Sequence, residues 1–164
     1  MKDTVHVKGL SELDAFLSQL PAKLEKNIMR GSMRAAAVPV AAQAKQNVSV
    51  VSGLMRDGIK IKTGSKNGVV KARVVVTGKH AHAAGWVEYG TAAHHIKPKS
   101  AQSLFFAGIF STGIDHPGSS AKPFLRPALD SRATEAVVAA GEYIKKRLAS
   151  KHGLDTSEIE IVAD

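Results

Sequence analysis

The spacing of apolar residues changes twice along the chain, and this change restricts the fold more than any other feature. Apolar side chains recur at helical spacing as far as Asn47, alternate with polar ones over residues 58–77, and return to helical spacing after Pro127. A period near 3.6 residues indicates a helix with one buried face, whereas a period of two indicates a half-buried strand. The pattern therefore predicts an α+β fold, with a long N-terminal helix and a C-terminal helix packed on an antiparallel sheet. We expect about four strands in that sheet and an additional loop hairpin.

The first part of the chain predicts one strand and two helices. A short strand is expected over residues 4–8, followed by a short amphipathic helix after Ser11 and a second helix from Pro21 to about Asn47. Pro39 lies inside the second helical pattern, where its ring removes a hydrogen bond and crowds the preceding turn. We therefore predict a kink or a break of the second helix at Pro39.

The central segment predicts a β-hairpin and a third strand. Residues 58–77 contain two β-rich runs around a polar, glycine-bounded turn at 64–68. Ile59 and Ile61 should face the core, while the lysines that alternate with them should face solvent. A third strand is expected over residues 85–89.

The remainder predicts a long excursion, a last helix and an acidic tail. Residues 92–122 form a loop arm that contains a hairpin at 104–110, and loops of this length are commonly functional. The last helix is expected to end at Gly153. Residues 154–164 should form an acidic tail that is either frayed or an added edge strand. We predict a single domain over residues 1–153.

The charge of the chain is unevenly distributed. The net charge is +9, and residues 51–100 alone contribute +7. Such a bias favours an acidic partner, either nucleic acid or an acidic protein surface. Few aromatic residues lie nearby to stack on bases, so any contact with DNA is expected to be nonspecific. The basic residues that could contact phosphates on one sheet face are Arg56, Lys60, Lys62, Lys66, Lys71, Arg73 and Lys79.

The sequence contains no recognisable catalytic or metal-binding motif. Cysteine is absent, which excludes disulfides, thiolate zinc sites and cysteine nucleophiles. The nucleophile elbow of hydrolases and the phosphate-binding P-loop are also missing. We therefore expect no enzyme activity, no cofactor and no metal. The histidines that a metal site could use are His80, His82, His94, His95 and His116, with the first two expected on one face of a strand.

The hydropathy of the chain predicts a soluble protein. No apolar run reaches the roughly 18 residues that a membrane-spanning helix needs. The first residues, which begin Met-Lys-Asp-Thr, lack the apolar core of a signal peptide. We expect the protein to remain in the cytoplasm where it is made, with no membrane partner.

Four segments, taken in order, resemble a known family. Residues 52–59 (Ser-Gly-Leu-Met-Arg-Asp-Gly-Ile) are similar to the segment that follows the long helix in this family, and residues 86–91 (Trp-Val-Glu-Tyr-Gly-Thr) to a strand ending. Residues 96–99 together with residues 104–106 resemble an insertion of longer members. Residues 116–129, which include Ala-Lys-Pro-Phe-Leu-Arg-Pro-Ala-Leu, are the strongest match. Together the segments resemble the tail-completion, or minor tail component, family of long-tailed bacteriophages.

The resemblance implies a structural virion protein of the phage neck or tail. Such a protein joins or completes the tail at the head–tail interface through protein–protein contacts, in a homo-oligomeric ring. Its implied partners are head-completion and tail-terminator subunits, and its implied location is the virion after assembly in the host cytoplasm. The residues that carry the family motifs are Gly53, Leu54, Arg56, Glu88, Tyr89, Gly90, Thr91, His116, Pro117, Gly118, Pro123, Phe124, Leu125, Arg126 and Pro127.

Several interpretations remain open on the sequence alone. The candidate partner-contact residues are Phe105, Phe106 and Phe110, which are either tucked under their own domain or buried against a partner. Glu88 is expected to pair with a basic neighbour such as Arg126. The alternative functions are nonspecific DNA binding through the basic sheet face, and a tail-terminator or other minor tail subunit.

Overall fold

The architecture was determined from a computed structural model of the chain. It describes residues 8–18, 20–50, 52–153, 155–157 and 159–161, excepting the side chains at positions 23, 151 and 152. The predicted strand over residues 4–8 therefore falls almost wholly outside the described residues. The predicted α+β class is confirmed, with a long N-terminal helix, antiparallel strands and a C-terminal helix.

Two long antiparallel helices form the framework. Helix α1 spans Leu10–Ser18, α2 spans Ala22–Asn47, and the C-terminal helix, α5, spans Leu125–His152. Contacts at both ends of α2 show the antiparallel arrangement. Gly31 faces the Tyr143 ring, and the Asn47 side-chain amide donates to the backbone carbonyl of Phe124.

Of the kink or break predicted at Pro39, the break is wrong, because α2 continues through this residue without interruption. A proline removes one hydrogen bond, but tertiary packing supplies most of the stability of a helix in a protein. Here Val40 and Ala41 are buried directly after the proline, and the burial of that face holds the helix together.

The predicted central hairpin is confirmed, with a tighter turn. Strand β1 spans Ile59–Lys66 and pairs with β2, Val69–Val76, in antiparallel register. Asn67 and Gly68 form a two-residue turn with positive φ angles of 50° and 78°, as the preferred hairpin turn requires. Strand β1 thus continues to Lys66, although residues 64–68 were predicted to form the turn. A short helix that the sequence did not reveal, α3 over Leu54–Gly58, precedes β1.

The predicted third strand is wrong. The segment is a helix, α4, which spans Ala81–Tyr89. Its local sequence is ambiguous, because Trp86, Val87 and Tyr89 favour strands. Ala84 and Glu88, four residues apart, are the buried residues of this helix. A strand would also place Trp86 on the face shared by these two positions, but Trp86 is 56% exposed, as helical spacing allows.

The loop arm contains two small antiparallel ribbons, so the strands do not join one sheet. Strand β3 (His94–Ile96) pairs with β6 (Ile114–His116), and β4 (Leu104–Phe106) pairs with β5 (Ile109–Ser111). Among the described residues, the strands form three two-stranded sheets in place of the predicted sheet of about four strands. The predicted hairpin inside the arm is present.

Two apolar clusters hold the fold together. The first joins α2 to β1, α4 and the start of α5, and the second joins α1 to the opposite ends of the long helices. The described residues of the acidic tail form no strand, and Ile159 and Ile161 are buried in the second cluster. That part of the tail is accordingly packed on the subunit and is neither an added strand nor fully exposed.

No helix in the described part of the chain is long and apolar enough to cross a membrane.

Candidate interaction surfaces

The side chain of Glu88 joins the end of α4 to the start of α5. Its carboxylate accepts three backbone hydrogen bonds, from the N–H groups of Phe124 at 2.8 Å, Leu125 at 2.9 Å and Arg126 at 2.9 Å. The first N–H groups of a helix have no partner within the helix, and the next residue, Pro127, has no N–H to satisfy. Glu88 therefore supplies the cap that α5 lacks in its own sequence.

The charge of Glu88 is stabilised by this arrangement. Desolvation of the side chain, which is only 6% exposed, raises the pKa of the carboxyl. The backbone hydrogen bonds and the positive charge of Arg126 oppose this effect, and together they hold the pKa below its usual value. The predicted pairing of Glu88 with Arg126 is thus made through the backbone N–H. The guanidinium of Arg126 lies over the Tyr89 ring instead, 5.5 Å from its centroid.

The motif residues next to Glu88 close the base of the arm. The backbones of Thr91 and Ser119 exchange two hydrogen bonds, of 2.9 and 3.1 Å. Gly90 and Gly118 have positive φ angles, and a side-chain carbon at either glycine would collide with backbone atoms of the opposite strand. His116 accepts a hydrogen bond from the Gly118 N–H. These backbone contacts therefore hold the two ends of the arm next to each other.

The three phenylalanines predicted to contact a partner lie at the exposed tip of the arm. We define the tip as Leu104–Ser111, the β4–β5 hairpin with its turn at Ala107 and Gly108. Phe105 and Phe110 are cross-strand neighbours with ring centroids 5.0 Å apart. They are 67% and 73% exposed, so they are not tucked under their own domain.

The tip is apolar on both of its faces. Cross-strand partners point to the same side of a ribbon, so Phe105 and Phe110 occupy one face while Phe106 and Ile109 occupy the other. Phe106 is 65% exposed and Ile109 is 68% exposed. A ribbon with apolar side chains on both faces is suited to burial between two surfaces rather than to lying on one.

An apolar groove of about 510 Å³ lies on the body of the domain. It is formed by α2, the inner face of β2, α4 and the first turns of α5. Leu129 stands at its edge and is 54% exposed. The residues that line the groove are mostly small and aliphatic, and include Ala36, Ala37, Val40, Val74, Val76 and Ala84.

The outer face of the β1–β2 hairpin forms a basic ribbon. The register pairs Lys62 with Arg73 and Gly64 with Lys71, so their side chains share one face with Lys60 and Lys66. All five cationic side chains are exposed, and the strands contain no acidic residue. The predicted placement of lysines opposite the buried Ile59 face is confirmed by the burial pattern. Arg56 and Lys79 lie outside the two strands.

The remaining motif residues lie at the junction of the long helix and the sheet. Gly53 has a φ of 77° and precedes α3, while Leu54 is exposed. Arg56 forms an exposed ion pair with Asp57 at 3.3 Å. These residues turn the chain from α2 into β1, and Gly53 and Arg56 line a small pocket together with Lys122 at the end of the arm.

The histidines that a metal site could use lie at the start of α4 and on the two-stranded ribbon at the base of the arm. His80 and His82 lie at the start of α4 and not on a strand, with ring centroids 6.5 Å apart. His94 and His116 face each other across the base ribbon of the arm, and His95 bonds to Asp115. Within the described residues, no group of three or more potential ligands forms a site.

Sequence reasoning missed two parts of these surfaces. Ile109 was not singled out as a contact residue, although its position opposite Phe106 follows once the hairpin turn is placed at 107–108. The groove has no signal in the sequence, because it is formed by four elements that are distant along the chain.

Comparison with known proteins confirms the resemblance. Residues 11–90 match the family described as "Bacteriophage HK97-gp10, putative tail-component". The matched segment extends from α1 to the end of α4 and includes Glu88. No curated protein and no solved structure matches the chain.

Proposed function

From the assignment of residues 11–90 to a family of bacteriophage tail components, we propose that the chain is a structural neck protein. It joins or completes the tail at the head–tail interface through protein–protein contacts, it acts in a ring, and it has no enzymatic activity. The observation that carries this proposal is the tip, whose four large apolar side chains are exposed on a clamped arm. Contiguous exposed apolar surface of this kind marks a site of interaction with another protein.

The proposal is tested in the phage that encodes the chain. Deletion of residues 104–110 should leave a folded subunit, because the tip is outside both core clusters. Filled heads and complete tails should then accumulate unjoined, as seen by electron microscopy. Tails of abnormal length would instead support a tail terminator. Normal yields of infectious particles would contradict the proposal.

A substitution series separates loss of contact from loss of the arm. The variant with Phe105→Ser and Phe110→Ser should fail to join tails, whereas Phe105→Leu with Phe110→Leu should retain most of the joining activity. Leucine keeps the apolar surface that a partner would bury, and serine does not. Val69→Ser, at an exposed apolar site on the other hairpin, provides the control.

The basic ribbon supports a second candidate, nonspecific binding to DNA. Five exposed cations on one face could contact successive phosphates. Affinity for duplex DNA would then fall on the order of 10³-fold or more between low and moderate salt. Charge reversal at Lys60, Lys62 and Arg73 should abolish this binding. The matched control reverses Lys26, Arg30 and Arg34 on α2, which changes the net charge equally. Absence of binding at low salt would exclude this candidate.

A further inference from the structure

We propose that the tip of one subunit inserts into the apolar groove of a second copy of the chain. This inference rests on the proposed function, because it names the contact that would build the ring. The two surfaces are the Leu104–Ser111 hairpin and the groove between α2, β2, α4 and the start of α5.

The tip does not fill the groove of its own subunit. Strands β4 and β5 pack on each other, and their four large side chains remain between 65% and 73% exposed. Leu129 at the groove edge is likewise 54% exposed. Each subunit therefore presents both an unoccupied apolar projection and an unoccupied apolar cleft.

The two surfaces are complementary in shape and chemistry. The tip is apolar on both faces. A cleft with two walls can bury both faces, whereas a flat surface can bury only one. A volume of about 510 Å³ is within the usual range for cavities that enclose a ligand. The tip contains no ionisable residue. In the groove, the carboxylate of Glu88 is already satisfied by backbone donors.

The charge of the chain restricts where a second copy can bind. Two copies of a chain with a net charge of +9 repel each other, so a stable contact between them must avoid the basic ribbon. The tip has no ionisable residue, and the groove lining contains one acidic and one basic residue, Glu88 and Arg126, which add no net charge to the contact. Salt screens the repulsion between copies, and self-association should strengthen as salt is added. Binding to DNA has the opposite dependence on salt.

The area of the contact favours a ring over an isolated pair. Large apolar side chains bury on the order of 150 Å² each, so the four at the tip supply roughly 600 Å² at most. A stable pairwise interface needs about 800 Å² from each partner. Because the contact joins different surfaces, each subunit can make it twice, once with its tip and once with its groove. In a closed ring, each subunit is therefore held by two such contacts, each of which is weak alone.

The decisive experiment mixes two variants of the full-length chain and measures mass by light scattering. Leu129→Glu blocks the groove and leaves the tip intact, while Phe105→Ser with Phe110→Ser removes the tip and leaves the groove intact. Each variant alone should be monomeric at concentrations where the wild type self-associates. The equimolar mixture retains one productive contact and should form a dimer and nothing larger, at a higher concentration than the wild type needs to self-associate, because a single contact is weaker than a closed ring. A mixture that behaves as the sum of its components would overturn the proposal.

Two controls exclude loss of folding and nonspecific hydrophobic association as explanations. Val38 is also 54% exposed on a helix, but it lies outside the groove lining. Val38→Glu should therefore self-associate as the wild type does, and all variants should show wild-type circular dichroism. If Val38→Glu and Leu129→Glu weaken association equally, the groove has no special role and the proposal fails.

Chemical cross-linking captures the contact even if it is weak. The chain has no cysteine, so Phe110→Cys and Leu129→Cys introduced together provide the only thiols. A short bis-maleimide should yield a ladder of covalent oligomers. Cross-linked monomer alone would show that the tip reaches its own groove, and unlinked chain would show no docking; either result overturns the proposal. If tip deletion still abolishes tail joining, the neck function stands and the tip binds a different protein.

Discussion

The tip of the arm differs from the contact between α4 and the start of α5, where Glu88 binds residues 124–126. We call this contact the joint. At the joint, a carboxylate is 6% exposed and accepts three backbone hydrogen bonds, and the neighbouring glycines allow close backbone contact. At the tip, four apolar side chains are more than 60% exposed. The family motifs are concentrated at the joint, which holds the arm and α5 in place. Motif residues here make structural contacts within the subunit, and the exposed apolar surface lies beyond them.

The largest expected effect on stability is at Glu88. Glu88→Ala leaves three backbone N–H groups at the start of α5 without their acceptor, and each such loss costs on the order of 1–3 kcal/mol. We expect the free energy of unfolding to fall by about 3 kcal/mol or more, measured by urea denaturation. Glu135→Ala, which removes an exposed pair with Arg132, should change it by less than about 1 kcal/mol. A small effect at Glu88 would show that the joint is not a structural element.

The next effect is expected at the arm base. At Gly118, with a φ of 87°, a Cβ would lie 2.2 Å from the Thr91 carbonyl oxygen, so Gly118→Ala should cost roughly 1–3 kcal/mol. Gly85 lies in α4 with no atom near its Cβ position, and Gly85→Ala should instead stabilise by about 1 kcal/mol. Thermal denaturation of both variants measures the difference. Equal effects would contradict a tightly closed base.

The pH dependence of stability reports the charge of Glu88. Since its pKa is lower in the folded state than its ordinary value of 4.5, the contribution to stability is present above that value. It is lost as the pH falls through the folded pKa. The difference in unfolding free energy between wild type and Glu88→Gln should therefore shrink as the pH is lowered from 6 to about 3. Urea titrations across this range provide the measurement, and a constant difference would refute the assignment.

The smallest effect on stability is expected at the tip. Phe105→Ser with Phe110→Ser should change the free energy of unfolding by less than about 0.5 kcal/mol, as is usual for exposed positions. The same variant should abolish tail joining, as proposed above. A large loss of stability would show that the tip supports its own subunit, and the contrast between tip and joint would fail.

The difference between what the sequence predicted and what it missed follows from the range of the interactions. The hairpin at residues 58–77 has a local alternation and a local turn, so its strands were identified correctly. Helix α4 was mistaken for a strand because Trp86, Val87 and Tyr89 favour β-structure locally. In the folded chain, Glu88 of this helix accepts hydrogen bonds from three N–H groups at the start of α5, which lies far away in the sequence. No local pattern contains that information.

The candidate surfaces divide in the same way. The apolar arm was predicted because Phe105, Phe106 and Phe110 stand together in a long loop excursion. Their exposure could not be predicted, since the same residues would suit a buried core. The groove was not foreseen, because α2, β2, α4 and α5 converge only in the folded chain.

The sequence by itself determined the α+β class, the two long helices, the central hairpin and the apolar arm, because local periodicity and turn residues set each of them. It also carried the family resemblance that the match to residues 11–90 confirms. Only the tertiary structure decided that Glu88 caps α5, that the tip is exposed on both faces, and that an apolar groove remains open. These features depend on contacts between segments far apart in the chain. Such tertiary contacts override the local helix and strand propensities of the residues involved.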